Sequence, residues 1–218
     1  MFPTLRARFP TAHRSARMRL PTLQPAMHRV GEDGMTDATT FDSTATAIAA
    51  INSRWCRTWG NAHGWAPDSA ADLLASARLD WQVDLSGCLR LWRALRADSP
   101  GELILAWCNL GSLVEGSLRL FLAVYLEDYF RDPLVHRNGG PIPVERATFD
   151  ELRGFYKAKD IWVVDGERWD AWVLHIQQRR NAIHSFRGRE IGTPTEFFDD
   201  MKRYLLLLNE LDARMPEP

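Results

Sequence analysis

The sequence predicts an all-α protein, most simply an antiparallel helical bundle with additional helices on its N-terminal side. Apolar residues recur at three- and four-residue steps through most of the chain. Proline, glycine and Ser/Thr/Asp residues punctuate these stretches at helix-length intervals. No strand-like alternation of polar and apolar residues persists anywhere. With 218 residues, 45% of them hydrophobic and 25% charged, the chain can enclose one sizeable core.

Residues 1–34 hold six Arg and no Lys, against Glu32 and Asp33, and show no steady apolar period. They read as a disordered extension, or as sequence preceding a more natural start at Met35; an organelle transit peptide is the alternative for an Arg-rich, acid-poor leader. The single folded domain is then expected over 35–218. Within it, "ATAIAAINSRWCRTW" forms the first helix and stops at Gly60. Pro67 and Asp68 open a second helix through Leu79. A third is expected over 85–97, closed by "DSPGE". A long fourth helix, 102–130, carries Leu103, Trp107, Leu110, Val114, Leu118, Phe121 and Tyr125 on one face.

Pro133, Gly139, Gly140, Pro141 and Pro143 then impose a loop. Thr148, with Glu151 three residues later, has the pattern of a capping box for a short helix. The next helix is expected from near Asp165 to near Arg187, broken by Gly188 and Gly192. Thr193 or Thr195 caps the last helix, and Pro216 lies beyond its end. Trp55, Trp59, Trp65, Trp81, Trp92 and Trp107 fall largely at core spacing.

The charge balance excludes a globally basic nucleic-acid binder. Removing the six Arg and two acids of 1–34 from 27 basic and 28 acidic residues leaves 21 and 26, a net of −5. Any grip on a polyanion must therefore be local. Cys56, Cys88 and Cys108 form no CxxC pair, so neither zinc nor a disulfide framework is expected. No apolar run reaches the roughly 18–20 residues that span a bilayer, and residues 103–129 are interrupted by Asn109, Glu115, Arg119 and Glu127. A cytoplasmic protein without cofactor, metal or membrane contact is the expectation. His63 and His136 fall in loops, and the phosphate-loop, nucleophile-elbow and dinucleotide fingerprints are all absent.

Two stretches carry chemistry. In "NLGSLVEGSLRLFLAVYLEDY", Gly111, Ser112, Gly116 and Ser117 invite a close helix neighbour, at about 1 kcal/mol of helix propensity per Gly. Glu115 lies among them. Either it faces the bundle and is paired, with an arginine of residues 177–192 available, or it faces solvent on the helix back. Glu127 and Asp128 read as a solvated helix end.

The second stretch is "QQRRNAIHSFRGREIG". With Trp169 as reference and about 100° per residue, Trp172, Val173, Ile176 and Ile183 lie within about 60° of it. Arg180 falls inside that apolar stripe, with His184 one turn on. Arg179 lies at the opposite edge, and Asn181 points away. His175 and His184 fall on opposite faces and cannot share a metal. Arg187 and Arg189 read as helix-end charge. A helix C-terminus favours cations by about 0.3–1 kcal/mol each, which accounts for basic residues there but not for a guanidinium inside an apolar stripe.

The Arg, four residues, His spacing of Arg179 and His184, with the Arg180-Asn181 dipeptide between them, resembles the HEPN superfamily of helical bundles. The long "LGSLVEGSLRLFLAVY" helix and the closing "EFFDDMKRYLLLL" helix extend the resemblance over roughly residues 100–215. Many HEPN proteins are metal-independent endoribonucleases, often toxins or antiviral effectors, with the site formed between two protomers. The resemblance implies RNA as substrate, a homodimer and an antitoxin as possible partners, and His184 as general base toward a ribose 2′-OH. Arg179 or Arg180 would hold the scissile phosphate, Asn181 would orient it or the histidine, and Glu115 would hold an arginine. The alternative is a catalytically silent HEPN-like module that binds nucleotide, RNA or a protein, which the acidic net charge favours.

Overall fold

The computed structural model describes residues 33–162, 166–184 and 186–217. Among them the chain forms a bundle of eight α-helices with no strand, as the periodicity predicts. The long α1 (Asp33–Trp59) is followed by α2 (Asp68–Ser76) and α3 (Leu79–Cys88), which runs into a 3-10 segment, Leu89–Ala94. Then come α4 (Pro100–Val124), α5 (Leu126–Arg131), α6 (Phe149–Ala158), α7 (Gly166–Arg180) and α8 (Pro194–Asp212). Helix α1 includes Asp33 and Gly34; the rest of the stretch assigned to an extension lies outside the described residues.

Helix α4 is the central element. Its faces pack against α2, α3, α6, α7 and α8, and Trp107, Leu110, Leu113, Val114, Leu118 and Phe121 are fully buried. The small residues work as expected. A Cβ on Gly111 would lie 2.7 Å from the Cβ of Arg180, so the absence of a side chain lets α7 lie directly on α4. Ser117 Oγ and Tyr204 Oη are 2.8 Å apart, joining α4 to α8. Burial pushes the Tyr204 phenol well above its ordinary pKa.

Both predicted caps form: Thr148 accepts from Glu151 N and Thr193 from Glu196 N, each with the reciprocal carboxylate bond of a capping box.

Several helix boundaries differ from the sequence reading, the start of α1 at Asp33 rather than at Ala45 among them. Helix α2 stops at Ser76 because Ala77 is extended, and α3 starts at Leu79 rather than residue 85. Trp92 in the following 3-10 segment donates from Nε1 to Asn109 Oδ1 at 2.9 Å, which fastens that segment to α4. The long helix breaks at Tyr125, whose φ of −102° and ψ of 38° leave the helical region. Its hydroxyl donates to the Arg214 carbonyl just past α8, a tertiary bond that no local pattern announces. Finally, α7 ends at Arg180 and tightens into a 3-10 turn, Asn181–Ile183, instead of continuing to Arg187. Of the tryptophans assigned to the core, Trp81 is 57% exposed and Trp65 37%. Trp81 instead lies under the Arg78 guanidinium, 4.1 Å from ring centroid to Cζ.

Candidate functional site

The two arginines at the end of α7 occupy different environments. Arg180 lays its aliphatic stem across Gly111 and reaches Glu115 on α4, Nη1 to Oε2 at 2.6 Å. Arg119, one turn along α4, takes the other oxygen at 2.7 Å and also donates to the Ala147 carbonyl at 2.8 Å. Glu115 is buried, so the solvent-facing alternative is excluded, and two guanidinium groups share its charge. The Arg180 guanidinium further lies 5.7 Å from the Phe149 ring. Cys108 Sγ contacts the Arg180 carbonyl at 3.5 Å, and burial raises the thiol's pKa despite the nearby guanidinium.

Arg179 is the more buried of the pair, only 5% exposed. The wheel places it at the edge of the stripe; the structure puts it against the Trp107 ring at 5.7 Å. Its Nη2 lies 3.4 Å from Glu190 and 3.7 Å from Glu196, long for charge-assisted contacts. Its Nη1 is buried with no hydrogen-bond partner among the described residues. The loop that closes over this guanidinium depends on Gly192, which has φ +66°. A Cβ there would lie 2.8 Å from Arg179 Nη2 and 2.1 Å from Glu196 Oε2.

His184 is not a helical neighbour of Arg180. The 3-10 turn advances about 120° per residue rather than 100°, so the α-helical wheel stops applying at Asn181. Ile183, expected in the stripe, is 47% exposed, and His184 is exposed with an imidazole that bonds to no described residue. Asn181 is half-buried, and its carbonyl accepts the His184 N–H at 3.2 Å. The arginine, the asparagine and the histidine of the motif thus occupy three consecutive backbone settings.

Beside Arg179 lies a polar cleft of about 220 Å³, lined by His175, Gln178, Arg179, Arg189 and Glu190. Arg189, read from sequence as helix-end charge, is part of its wall. His175 has a built environment that the sequence reading missed: its Nε2 is 2.8 Å from Asp200 Oδ2 on α8. Asp200 is buried, and its other oxygen accepts from Trp172 Nε1 at 2.8 Å. A carboxylate only accepts, so Nε2 carries the proton and Nδ1 is the nitrogen left for other work. A signal for Asp200 existed, since Phe197, Met201 and Tyr204 define the buried stripe of α8 and Asp200 falls inside it.

Among the described residues, no group of three or more His, Cys, Asp or Glu side chains is arranged to hold a metal ion, and no helix is long and apolar enough to cross a membrane. Compared with family models, curated proteins and solved structures, the chain finds no match.

Proposed function

We propose that this chain is a metal-independent endoribonuclease of HEPN type, acting in the toxin or antiviral setting in which such enzymes are common. The observation that carries the reading is the division of labour between the paired arginines. Arg180 is committed to Glu115, whereas Arg179 keeps unused donor capacity beside a polar cleft, five residues from an exposed and unengaged His184. Arg179 is therefore the arginine that holds the scissile phosphate, and Arg180 the one that fixes α7 on α4. His184 takes the proton from the ribose 2′-OH, whose oxygen attacks the adjacent phosphorus. The 5′-oxygen departs, leaving a 2′,3′-cyclic phosphate and a 5′-hydroxyl. The charge that builds on the phosphoryl oxygens is met by the Arg179 guanidinium. Asn181 sets the angle at which the chain leaves α7 and so aims His184. A homodimer bringing two such motifs together, and an antitoxin protein covering them, are the partners this reading entails.

One observation favours a second reading. Glu190 and Glu196 flank Arg179, so the cleft carries negative charge where a substrate phosphate would enter. That suits a silent module that binds a nucleotide or protein ligand without cleaving RNA. The two readings separate in one assay: total RNA incubated in EDTA with wild type and His184→Ala. Cleavage by wild type that is lost in the variant is the expected outcome. Equal degradation by both proteins, or none by either, overturns the enzymatic reading.

A further inference from the structure

The His175–Asp200 pair is left unused by the chemistry above, yet it has the build of a proton-transfer group. Asp200 is buried, fixed by Trp172, and bonded to the imidazole nitrogen that turns away from solvent. His175 itself is part-exposed and lines the same cleft as Arg179, one turn earlier on α7. The Trp107 ring stands edge-on to the imidazole at 6.0 Å and also faces the Arg179 guanidinium, so one aromatic side chain sets the position of both. A histidine whose tautomer and rotation are fixed by a buried carboxylate presents its second nitrogen in one orientation, and the carboxylate compensates the charge of an imidazolium.

We propose that His175 is the general acid of the RNA cleavage reaction, with Asp200 as its positioning residue. This rests on the reading of the chain as a ribonuclease that uses Arg179 and His184. The substrate is a phosphodiester whose leaving group is a ribose 5′-oxygen. As the 2′-oxygen forms its bond to phosphorus, the 2′-OH proton passes to His184. The bond from phosphorus to the 5′-oxygen breaks, and that oxygen takes the proton held on His175 Nδ1. One proton is gained by His184 and one lost from His175, so the protein's charge is unchanged, and proton exchange with water returns both histidines to their starting states. An alkoxide is a poor leaving group, so a positioned acid at this atom is worth on the order of 10²–10⁴ in rate.

The test uses an oligoribonucleotide and its analogue in which sulfur replaces the bridging 5′-oxygen at the cleavage site. A thiolate departs without a proton, so the analogue bypasses a general acid and nothing else. His175→Gln should lower kcat on the natural RNA by about 100-fold or more, and its loss on the sulfur analogue should be at least about tenfold smaller. Asp200→Asn should show the same pattern with a smaller loss, because it acts through His175. His184→Ala should impair both substrates alike. Gln at 175 keeps an N–H toward Asp200 and so preserves the tie between α7 and α8. If its thermal melt nevertheless falls, Asp200→Asn, which retains the acceptor for Trp172, supplies the same comparison. Equal losses on both substrates in a folded variant would reduce the pair to an interhelical tie, and no loss on either would remove it from the reaction. Wild type that cleaves neither substrate overturns the ribonuclease reading itself, whereas wild type that cleaves RNA without needing His175 overturns only the assignment of the acid.

Discussion

Arg179 and Arg180 are consecutive residues on one helix, yet the walls they face are built on different principles. On the Arg180 side, α4 supplies a buried carboxylate, a glycine that accepts the arginine stem, and a second guanidinium on the same acid. That wall is nearly saturated: the Glu115 carboxylate has a donor on each oxygen. On the Arg179 side, the guanidinium is more deeply buried but less well paired, next to a cleft and a histidine held by an aspartate. A saturated ion cluster stabilises a fold, whereas a desolvated cation with spare donors is poised for an incoming anion. The position of a charge along a helix therefore says less about its role than the completeness of its partners.

Replacing each arginine by methionine, which keeps the stem packing, separates the two walls most sharply. On the proposed ribonuclease reading, Arg179→Met should cut RNA cleavage by about 10²–10³-fold, the loss expected when a preorganised donor to the phosphoryl oxygens is removed. Its folding free energy should move by less than about 1 kcal/mol, because an imperfectly paired buried cation is exchanged for an apolar side chain. Arg180→Met should do the reverse, with a clear fall in urea midpoint and a smaller effect on turnover. If both variants lose stability and activity equally, the two sides of α7 do not differ in function.

The next largest effect concerns the shared acid. Glu115→Ala strands Arg119 and Arg180 at the α4–α7 contact. Both guanidiniums are partly exposed, so the cost should be about 2–3 kcal/mol rather than the full penalty of a buried break. Equilibrium denaturation in urea measures it, with an unchanged slope expected if the denatured state is unaffected. A loss under about 0.5 kcal/mol would mean that solvent already satisfies this cluster.

A smaller contrast comes from the two glycines of α4. Alanine at 111 would put its Cβ 2.7 Å from the Cβ of Arg180, an atom fixed to the α7 backbone, so the helices must separate. Alanine at 116 meets Gln82 Oε1 at 2.2 Å, the far end of a flexible side chain that can swing away. Gly111→Ala should therefore cost about 1–2 kcal/mol after the gain in helix propensity, and Gly116→Ala should be close to neutral. Thermal melts of the two variants rank them directly.

The sequence made the saturated wall easier to read than the open one, for a physical reason. Arg180 interrupts an apolar stripe and Glu115 sits among small residues, so each announces a buried charge that must find a partner. The His175–Asp200 pair joins residues 25 positions apart on two helices, and neither is unusual in its own helix unless the buried face of α8 is drawn first. A helical wheel misplaces His184 because α7 ends at Arg180, four residues before it, and the tightening into a 3-10 turn leaves no composition signal. The break at Tyr125 is likewise tertiary, set by a phenol reaching the end of α8. Caps, by contrast, are local: the Thr148–Glu151 box is legible from its three-residue spacing, and of the two threonines that could cap the last helix, Thr193 does so, with Glu196 completing a second box.

Those two boxes give the finest form of the comparison, since they are the same motif on opposite sides of α7. The α6 box lies next to Ala147 and Phe149, which contact Arg119 and Arg180. In the α8 box, Glu196 Oε2 accepts the Thr193 N–H at 2.7 Å and also lies 3.7 Å from Arg179 Nη2. Thr148→Ala and Thr193→Ala should each cost about 1 kcal/mol of stability, the usual loss for a missing N-cap oxygen. If the chain cleaves RNA as proposed, only Thr193→Ala should also change that activity, because loosening Glu196 alters what Arg179 faces. The α6 box has a pH signature of its own. The Thr148 backbone N–H, with help from its hydroxyl, holds the Glu151 carboxyl below its ordinary pKa. A carboxyl with a lowered folded-state pKa contributes stability above its unfolded value, and that contribution is lost as pH falls through the folded one. Urea midpoints taken from neutral to acid pH should thus fall less steeply for Glu151→Gln than for wild type. Parallel curves for the two proteins would show that the α6 carboxylate titrates alike in folded and unfolded chains, leaving the hydroxyl of Thr148 as the whole of that cap.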